Sequence, residues 1–248
     1  MKLISLNIWG GRVYEPLKEF VIKHSRDVDV FCLQEVFDND PSKPSRIQKE
    51  ARTNCYSEIK NLLPDFNSYI HSRQDNEESN AVFVRKSITL EKEGDTFLYG
   101  SKNSWMSDNL DSYPVNMEYI EFADKDKKNF LICNLHGFWT HDGKRDNPIR
   151  FEQSKKILEF LEKYNRSKII CGDFNLLPDT ESIKMLEDSG LKNLIKEYSI
   201  TSTRSHYYPK EHPKFADYCF VSPEVEVKDF KVLPDVVSDH LPLYLEFE

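Results

Sequence analysis

Glycine is scarce in this chain, at 8 of 248 residues, and no stretch rich in Gly, Ser and Pro divides it. With aromatics at 12%, that excludes collagen-like repeats, low-complexity linkers and wholesale disorder. No internal repeat is visible. Long apolar runs are missing as well: the longest, LISL at 3–6 and VDVFCL at 28–33, are strand-sized and too short for a bilayer-spanning helix. Cysteines are few and odd in number (Cys32, Cys55, Cys133, Cys171 and Cys219), and no two have CxxC spacing. Four sit in apolar stretches, VFCLQE, FLICNL, IICGDF and DYCFVS, the setting of reduced, buried thiols. The opening MKLISLNIWGG has one basic residue and no small-residue cleavage site, so it reads as a first strand and not a signal peptide. A cytoplasmic protein is expected. Positive charge is short too, with 34 Lys and Arg against 42 Asp and Glu and a net charge of −8. That counts against gripping long duplex DNA through its phosphates. Neither a GxxxxGK[ST] nucleotide loop nor an HExxH metalloprotease pair is present.

What is present is an end-to-end alternation of strand-like and helix-like segments. Strands are expected at 2–8, 28–35, 66–72, 80–86, 88–98, 115–123, 129–136, 167–174, 216–222, 225–233 and 241–247. Leu17, Phe20, Val21 and His24 recur with helical spacing, and further helices are expected at about 45–63, 148–164 and 180–189, the last stopped by Gly190. This is one α/β domain over 1–248 with a strand-rich, two-sheet core. The apolar face of the 148–164 helix continues backwards onto Arg150, Gln153 and Ser154. Such a polar extension is either a satisfied structural network or one wall of a site. The irregular stretches 99–114 and 201–215 are long enough to be functional loops.

Polar residues cluster at the strand boundaries. Asn7 ends the first strand, and Gln34 and Glu35 end the second. His136 closes 129–136, Asp173 and Asn175 follow the 167–172 run, Asp217 opens a late strand, and Asp239 and His240 precede the last. Each alone has an ordinary reading as a loop carboxylate, a turn or cap residue, or a satisfied histidine. Together they are harder to dismiss, because strand ends of α/β sheets are rigid platforms on which side chains converge. Glu35, Asp173 and Asp239, with the amides of Asn7 and Asn175, are hard oxygen donors suited to Mg²⁺ or Mn²⁺ and not to zinc. Two histidines beside them can move protons or stabilise charge near neutral pH. Such a set is equipped for attack of water on a phosphorus ester.

The ordered motifs LNIWG (6–10), LQEV (33–36), NLHGFW (134–139), GDFNLLPD (172–179), FADYCFVS (215–222) and SDHLPL (238–243) resemble those of the endonuclease/exonuclease/phosphatase superfamily over nearly the whole chain. The resemblance implies a four-layer α/β sandwich, two packed mixed sheets flanked by helices as in deoxyribonuclease I. It also implies roles. Glu35 would hold the divalent ion, Mg²⁺ or Mn²⁺, with Asn7 close by and Asp239 at the metal edge. Asp173 and Asn175 would orient and activate the attacking water, and Asn175 would also hold the phosphate. His240, oriented by Asp217, would contact the scissile phosphate, while His136 would stabilise the developing charge or assist the leaving group. Departures from the abasic-site endonucleases, Trp9 where they carry an acid and His136 where they carry Tyr, speak against abasic-site repair.

Substrate choice should lie in the loops. The 38–52 segment carries Lys43, Arg46, Lys49 and Arg52, and the loop after His136 presents Phe138, Trp139 and His141. TSTRSHYYPKEHPK (201–214) brings Arg204, His206, Tyr207, Tyr208, Lys210, His212 and Lys214 towards Asp217. Cations interleaved with aromatics suit a phosphate chain with stackable bases. Arg150, Trp139, Arg204 and Tyr207 are therefore the candidate substrate contacts. The expected activity is metal-dependent phosphodiester hydrolysis on nucleic acid, as single strands or ends, by a monomer. The alternatives are a small-molecule or lipid-headgroup phosphoesterase of the same superfamily and, of a different class, a protein that only binds.

Overall fold

A computed structural model describes residues 1–39, 50–104, 113–209 and 211–248. In chain order the first elements are β1 (Lys2–Asn7), α1 (Tyr14–His24), β2 (Val30–Val36), α2 (Cys55–Leu62), β3 (Phe66–Ser72), β4 (Ser79–Arg85), β5 (Leu90–Tyr99) and β6 (Val115–Ala123). They are followed by β7 (Asn129–His136), α3 (Pro148–Leu161), β8 (Ser167–Asp173), α4 (Glu181–Asp188), β9 (Lys192–Asn193), α5 (Leu194–Glu197), β10 (Asp217–Val221), β11 (Val227–Val232) and β12 (Leu243–Phe247). The strands form two mixed six-stranded sheets with orders β11-β12-β1-β2-β4-β3 and β5-β6-β7-β8-β10-β9.

Each sheet is built around one parallel pair, β1 with β2 and β7 with β8. Parallel neighbours need a crossover, which α1 supplies in one sheet and α3 in the other. Period-two alternation then sorts the apolar side chains. Ile4, Leu6, Phe31 and Leu33 point outward onto Leu17, Phe20 and Ile59 of the two N-terminal helices. Leu3, Cys32 and Val82 point the other way, into a core shared with Phe130, Ile132, Cys171 and Cys219 of the second sheet. On that sheet's far side Ile157, Phe160, Ile183 and Leu186 close the fourth layer. Each fully buried side chain of this kind is worth about 2 kcal/mol. All five cysteines are buried, and burial raises the thiol pKa of Cys32, Cys133 and Cys219 and takes Cys55 up to about 12. These thiols pack as small hydrophobes and are poor nucleophiles. No helix among the described residues is long and apolar enough to cross a membrane.

Eleven strands lie within two residues of their expected bounds. The helix expected at 45–63 is shorter: α2 starts at Cys55, and positions 45–49 lie outside the described residues. Ahead of it the main chain is committed elsewhere, since the Arg52 N–H donates to the Gly10 carbonyl and the Asn39 N–H to that of Thr53. The short β9 and α5 carry no periodic signal and were not expected from pattern. Gly190 ends α4 with a φ of 94°, the left-handed conformation of a helix stop.

Gln34 joins the sheets beside the strand ends. Its side-chain amide donates to Asn134 Oδ1 at 2.6 Å, and Asn134 Nδ2 donates to the Leu33 carbonyl at 3.1 Å. Both residues are fully buried, so this network ties the two parallel pairs at the end where their functional residues emerge.

Candidate active site

Strand register delivers most of the site. His136 lies directly across from Asp173 in the β7–β8 pair, and Asp217 lies across from Asp173 in the β8–β10 pair. Asn7 is opposite Gln34, one residue before Glu35. Glu35 has a φ of 55°, and the β2–β4 register shifts between Leu33 and Val36, so a bulge turns this carboxylate into the cleft. Trp9 and Asn175 also have positive φ, at 52° and 53°. Three non-glycine residues in this conformation around one cavity are strain concentrated at a site.

The cavity, about 380 Å³, is floored by Glu35, Glu78, His136, Asp173, Asp239 and His240. The Asn7 amide donates to Glu35 Oε1 at 2.9 Å and to Asp173 Oδ2 at 3.1 Å, linking the two sheets. Its oxygen accepts from the Trp9 N–H at 2.9 Å. Asn7 thus holds two carboxylates in place and turns no oxygen towards Glu35. Asp173 Oδ1 accepts from the Asn175 N–H at 2.8 Å, while the Asn175 side-chain amide donates to the Gly137 carbonyl at 3.2 Å. His240 Nδ1 bonds Asp217 at 2.8 Å, and Asp217 Oδ2 accepts from the Thr203 hydroxyl at 2.7 Å. That leaves His240 Nε2 3.5 Å from Asp173 Oδ2. Asp217 lies behind the histidine and does not line the cavity.

Charge is unevenly shared across the floor. Burial raises the pKa of Glu35, and Glu78 and Asp239 raise it further against the opposing His136 and Asn7. Burial would raise Glu78 too, but Arg73 and His136 outweigh it and hold that carboxyl at about 2. Burial would lower His136, yet Glu78, Glu35 and Asp173 together raise it and favour the imidazolium. Asp173 would likewise rise on burial, but His240, Lys144, His136 and Arg204 hold it well below the usual carboxylate range. Glu35 is the carboxylate short of positive charge. Glu35, Glu78 and His136 offer ligand atoms within 4.8 Å of one another, and all three line the cavity. Hard oxygens with a positive-charge deficit fit a divalent cation. A second cluster, Asp173, Asp217 and His240, meets the same distance test, but its Asp217 and His240 already satisfy each other.

The expected substrate contacts divide. Trp139 lines the rim and is 40% exposed. Arg204 turns inward: Nη1 donates to Asp239 Oδ2 at 2.8 Å and contacts His240 Nε2. The backbone imposes this, because the Ser205 N–H bonds the Asp239 carbonyl and the Leu241 N–H bonds that of Thr203. Tyr207 does not line the cavity; it is 45% exposed, its ring 6.3 Å from that of Trp9. Tyr208 takes the lining position, with the Arg204 guanidinium 4.0 Å from its ring. Arg150 is set apart altogether. It is 1% exposed and its guanidinium donates to the carbonyls of Phe138, Gly143 and Arg145. Gln153 Oε1 accepts from the Phe138 N–H at 2.8 Å. The polar stripe of α3 is thus an anchor for the 137–147 loop, which its position in sequence alone left open. Arg150→Met is expected to destabilise the protein by about 3 kcal/mol, since three carbonyls, that of Phe138 fully buried, lose a charged donor. Thermal melts check this, and Trp139→Ala at the exposed rim should leave the melting temperature nearly unchanged.

Of the basic loop residues, Lys43, Arg46, Lys49 and Lys210 lie outside the described residues. Arg52 is spent in a bidentate pair with Glu58, at 2.8 and 2.7 Å. Sequence reasoning misses Glu78, Arg73 and Lys144, and selects Tyr207 where its neighbour Tyr208 lines the cavity. Glu78 stands immediately before β4, a strand-boundary signal of the kind already used at Glu35. Lys144 sits in the charged run HDGKRDN, where nothing in the pattern separates it from Arg145.

The model of the Endonuclease/Exonuclease/phosphatase family matches residues 4–240. A comparison with curated proteins finds no match. Among solved structures, a mannosyl-6-phosphatase of Bacteroides thetaiotaomicron is similar at 24% identity and a TM-score of 0.79, over 100% of this chain and 99% of that one. Danio rerio TDP2 humanized by 14 mutations is similar at 13% identity and TM-score 0.74, covering 100% and 98%. The human Nocturnin catalytic domain with bound sulfate is similar at 18% identity and TM-score 0.68, covering 100% and 93%. Likeness at these identities speaks for the shared fold, a four-layer sandwich.

Proposed function

This chain belongs to the endonuclease/exonuclease/phosphatase family, and from that premise we propose that its cleft hydrolyses a small phosphate ester by in-line attack of water at phosphorus. Members of the family are hydrolases of phosphoesters that use divalent metals. Glu35, with Glu78 adjoining, would hold the cation, Mg²⁺ or Mn²⁺. When bound, it would neutralise non-bridging oxygens as negative charge builds on them. Asp173 supplies the ionised oxygen that orients the attacking water, and its own position is held by Asn7 and Asn175. The Nδ1 of His240 is committed to Asp217, which turns Nε2, beside Arg204, to the cavity side, where it would meet the reacting phosphate. His136, biased towards the imidazolium, lies on the other side of Asp173, its Nε2 3.8 Å from Oδ2, where it can stabilise the leaving oxygen.

The observation carrying the small-ester reading is where the cations are. Arg73, Lys144 and Arg204 all face one cavity of about 380 Å³, whereas Arg52 is paired with Glu58, Arg150 is buried against its own loop, and the exposed Lys214 does not line the cavity. On a chain of net charge −8, that favours a compact anion over a long polyanion. One feature favours the nucleic-acid reading, a strand end stacked at the mouth: the exposed rings of Trp139 and Tyr207.

A panel of mannose 6-phosphate, p-nitrophenyl phosphate, bis(p-nitrophenyl) phosphate and a 5′-phosphorylated single-stranded oligonucleotide, with Mg²⁺ or Mn²⁺, tests the choice. Turnover of the small esters at least about 10²-fold above the oligonucleotide is expected; cleavage of the oligonucleotide alone overturns the reading. EDTA should abolish turnover and added Mg²⁺ or Mn²⁺ restore it. Glu35→Gln should bind the metal at least about tenfold more weakly, measured by calorimetry.

A further inference from the structure

Among the described residues Lys144 is the only buried lysine, 5% exposed, and it lines the cavity. Its main chain is fixed: the Lys144 carbonyl accepts from the Leu177 N–H at 3.0 Å, and the carbonyls on either side, of Gly143 and Arg145, are clamped by Arg150. Its ammonium has neither a hydrogen-bond acceptor nor an ion-pair partner. The ring of Tyr208 lies 5.7 Å away, and the Arg204 guanidinium sits against that same ring. The nearby acids have other partners, Asp173 in Asn7 and Asn175, and Asp239 in Arg204. A buried ammonium without an acceptor is costly, and a fold that pins its backbone this firmly keeps it for an anion that arrives later.

We propose that Lys144, with Arg204 beside it, anchors the terminal dianionic phosphate of a phosphomonoester and sets a preference for monoesters over diesters. This rests on the small-ester reading and deepens it. A monoester phosphate carries about −1.5 to −2 near neutral pH, against a single charge on a diester. The extra charge needs an extra cation, and the three donors of an ammonium suit three equivalent terminal oxygens. In a diester one of those oxygens bears carbon and returns nothing for the contact. Burial also takes the Lys144 pKa down to about 8, the penalty expected of a cation whose partner is still to bind.

Three measurements on the full chain test this. Inorganic phosphate binding, measured by calorimetry with and without Mg²⁺, is expected to weaken at least about tenfold in Lys144→Met and to be largely retained in Lys144→Arg. The kcat/KM for p-nitrophenyl phosphate should fall about 10²-fold in Lys144→Met, while that for bis(p-nitrophenyl) phosphate falls less than about threefold. The ligand-free melting temperature of Lys144→Met should equal or exceed that of the unsubstituted protein, because an unpaired buried charge has been removed. Unchanged phosphate affinity, or equal losses on both esters, overturns the assignment. If the unsubstituted protein cleaves neither ester, the small-ester reading fails on its own, and the phosphate-binding comparison still decides the role of Lys144.

Discussion

Asp173→Asn is expected to lower kcat on any ester this protein hydrolyses by about 10³-fold, the range for losing a positioned acid–base group. The carboxylate is buried, the surrounding His240, Lys144, His136 and Arg204 hold it ionised, and hydrogen bonds from Asn7 and Asn175 leave it little freedom. Asparagine keeps the volume and the oxygen that accepts from the Asn175 N–H, but removes the charge and turns a donor towards the reacting water. Steady-state kinetics should show the loss in kcat, with KM changed far less, because the interaction matters once the water begins to attack. A loss below tenfold would mean that water is activated elsewhere in the cleft.

Gly172→Ala should have the largest effect on stability of any single change near the site. Gly172 precedes Asp173, has a φ of 135° and pairs with Leu135, and a Cβ added there would lie 2.0 Å from the Leu135 carbonyl oxygen. The contact is backbone, in the central parallel pair of the second sheet, so no side-chain rotation relieves it. Conformational strain and overpacking cost about 2 kcal/mol each. Together they predict a melting temperature lower by on the order of 10 °C for a domain of this size. Activity per folded molecule should fall too, since separating β7 from β8 separates His136 from Asp173. A thermal melt with activity measured well below the transition separates the two effects, and a melting temperature within two degrees of the unsubstituted protein would contradict the argument.

Both predictions concern GDFN, a motif readable in the sequence, and that reflects what local pattern encodes. Period-two alternation and the polar residue ending each apolar run identify strands and the ends at which chemistry gathers. Asn7, Glu35, His136, Asp173, Asn175, Asp217, Asp239 and His240 were all found this way, and the fold brings them together at one end of two sheets. The strand bounds were equally readable, because an apolar run of strand length is buried whatever it pairs with. The short β9 and α5 were not, since two to four residues hold no period.

Position along the chain could not say where long side chains go. Arg150 and Arg204 were both read as substrate contacts from sequence, yet Arg150 spends its guanidinium on the carbonyls of its own neighbouring loop while Arg204 reaches Asp239 and His240, 35 and 36 residues away. Glu78 meets His136 because two sheets pack face to face, a contact spanning 58 positions that no window detects. Lys144 differs from its neighbour Arg145 only in that one lines a cavity and the other pairs with Asp179 at the surface. The sequence by itself therefore determined the family, the layered fold and the residues at the strand ends, because burial periodicity and motif order are local properties of the chain. Only the tertiary structure decided which cations face the cleft and which acids they leave uncompensated, because charge pairing depends on distances set by sheet register and packing.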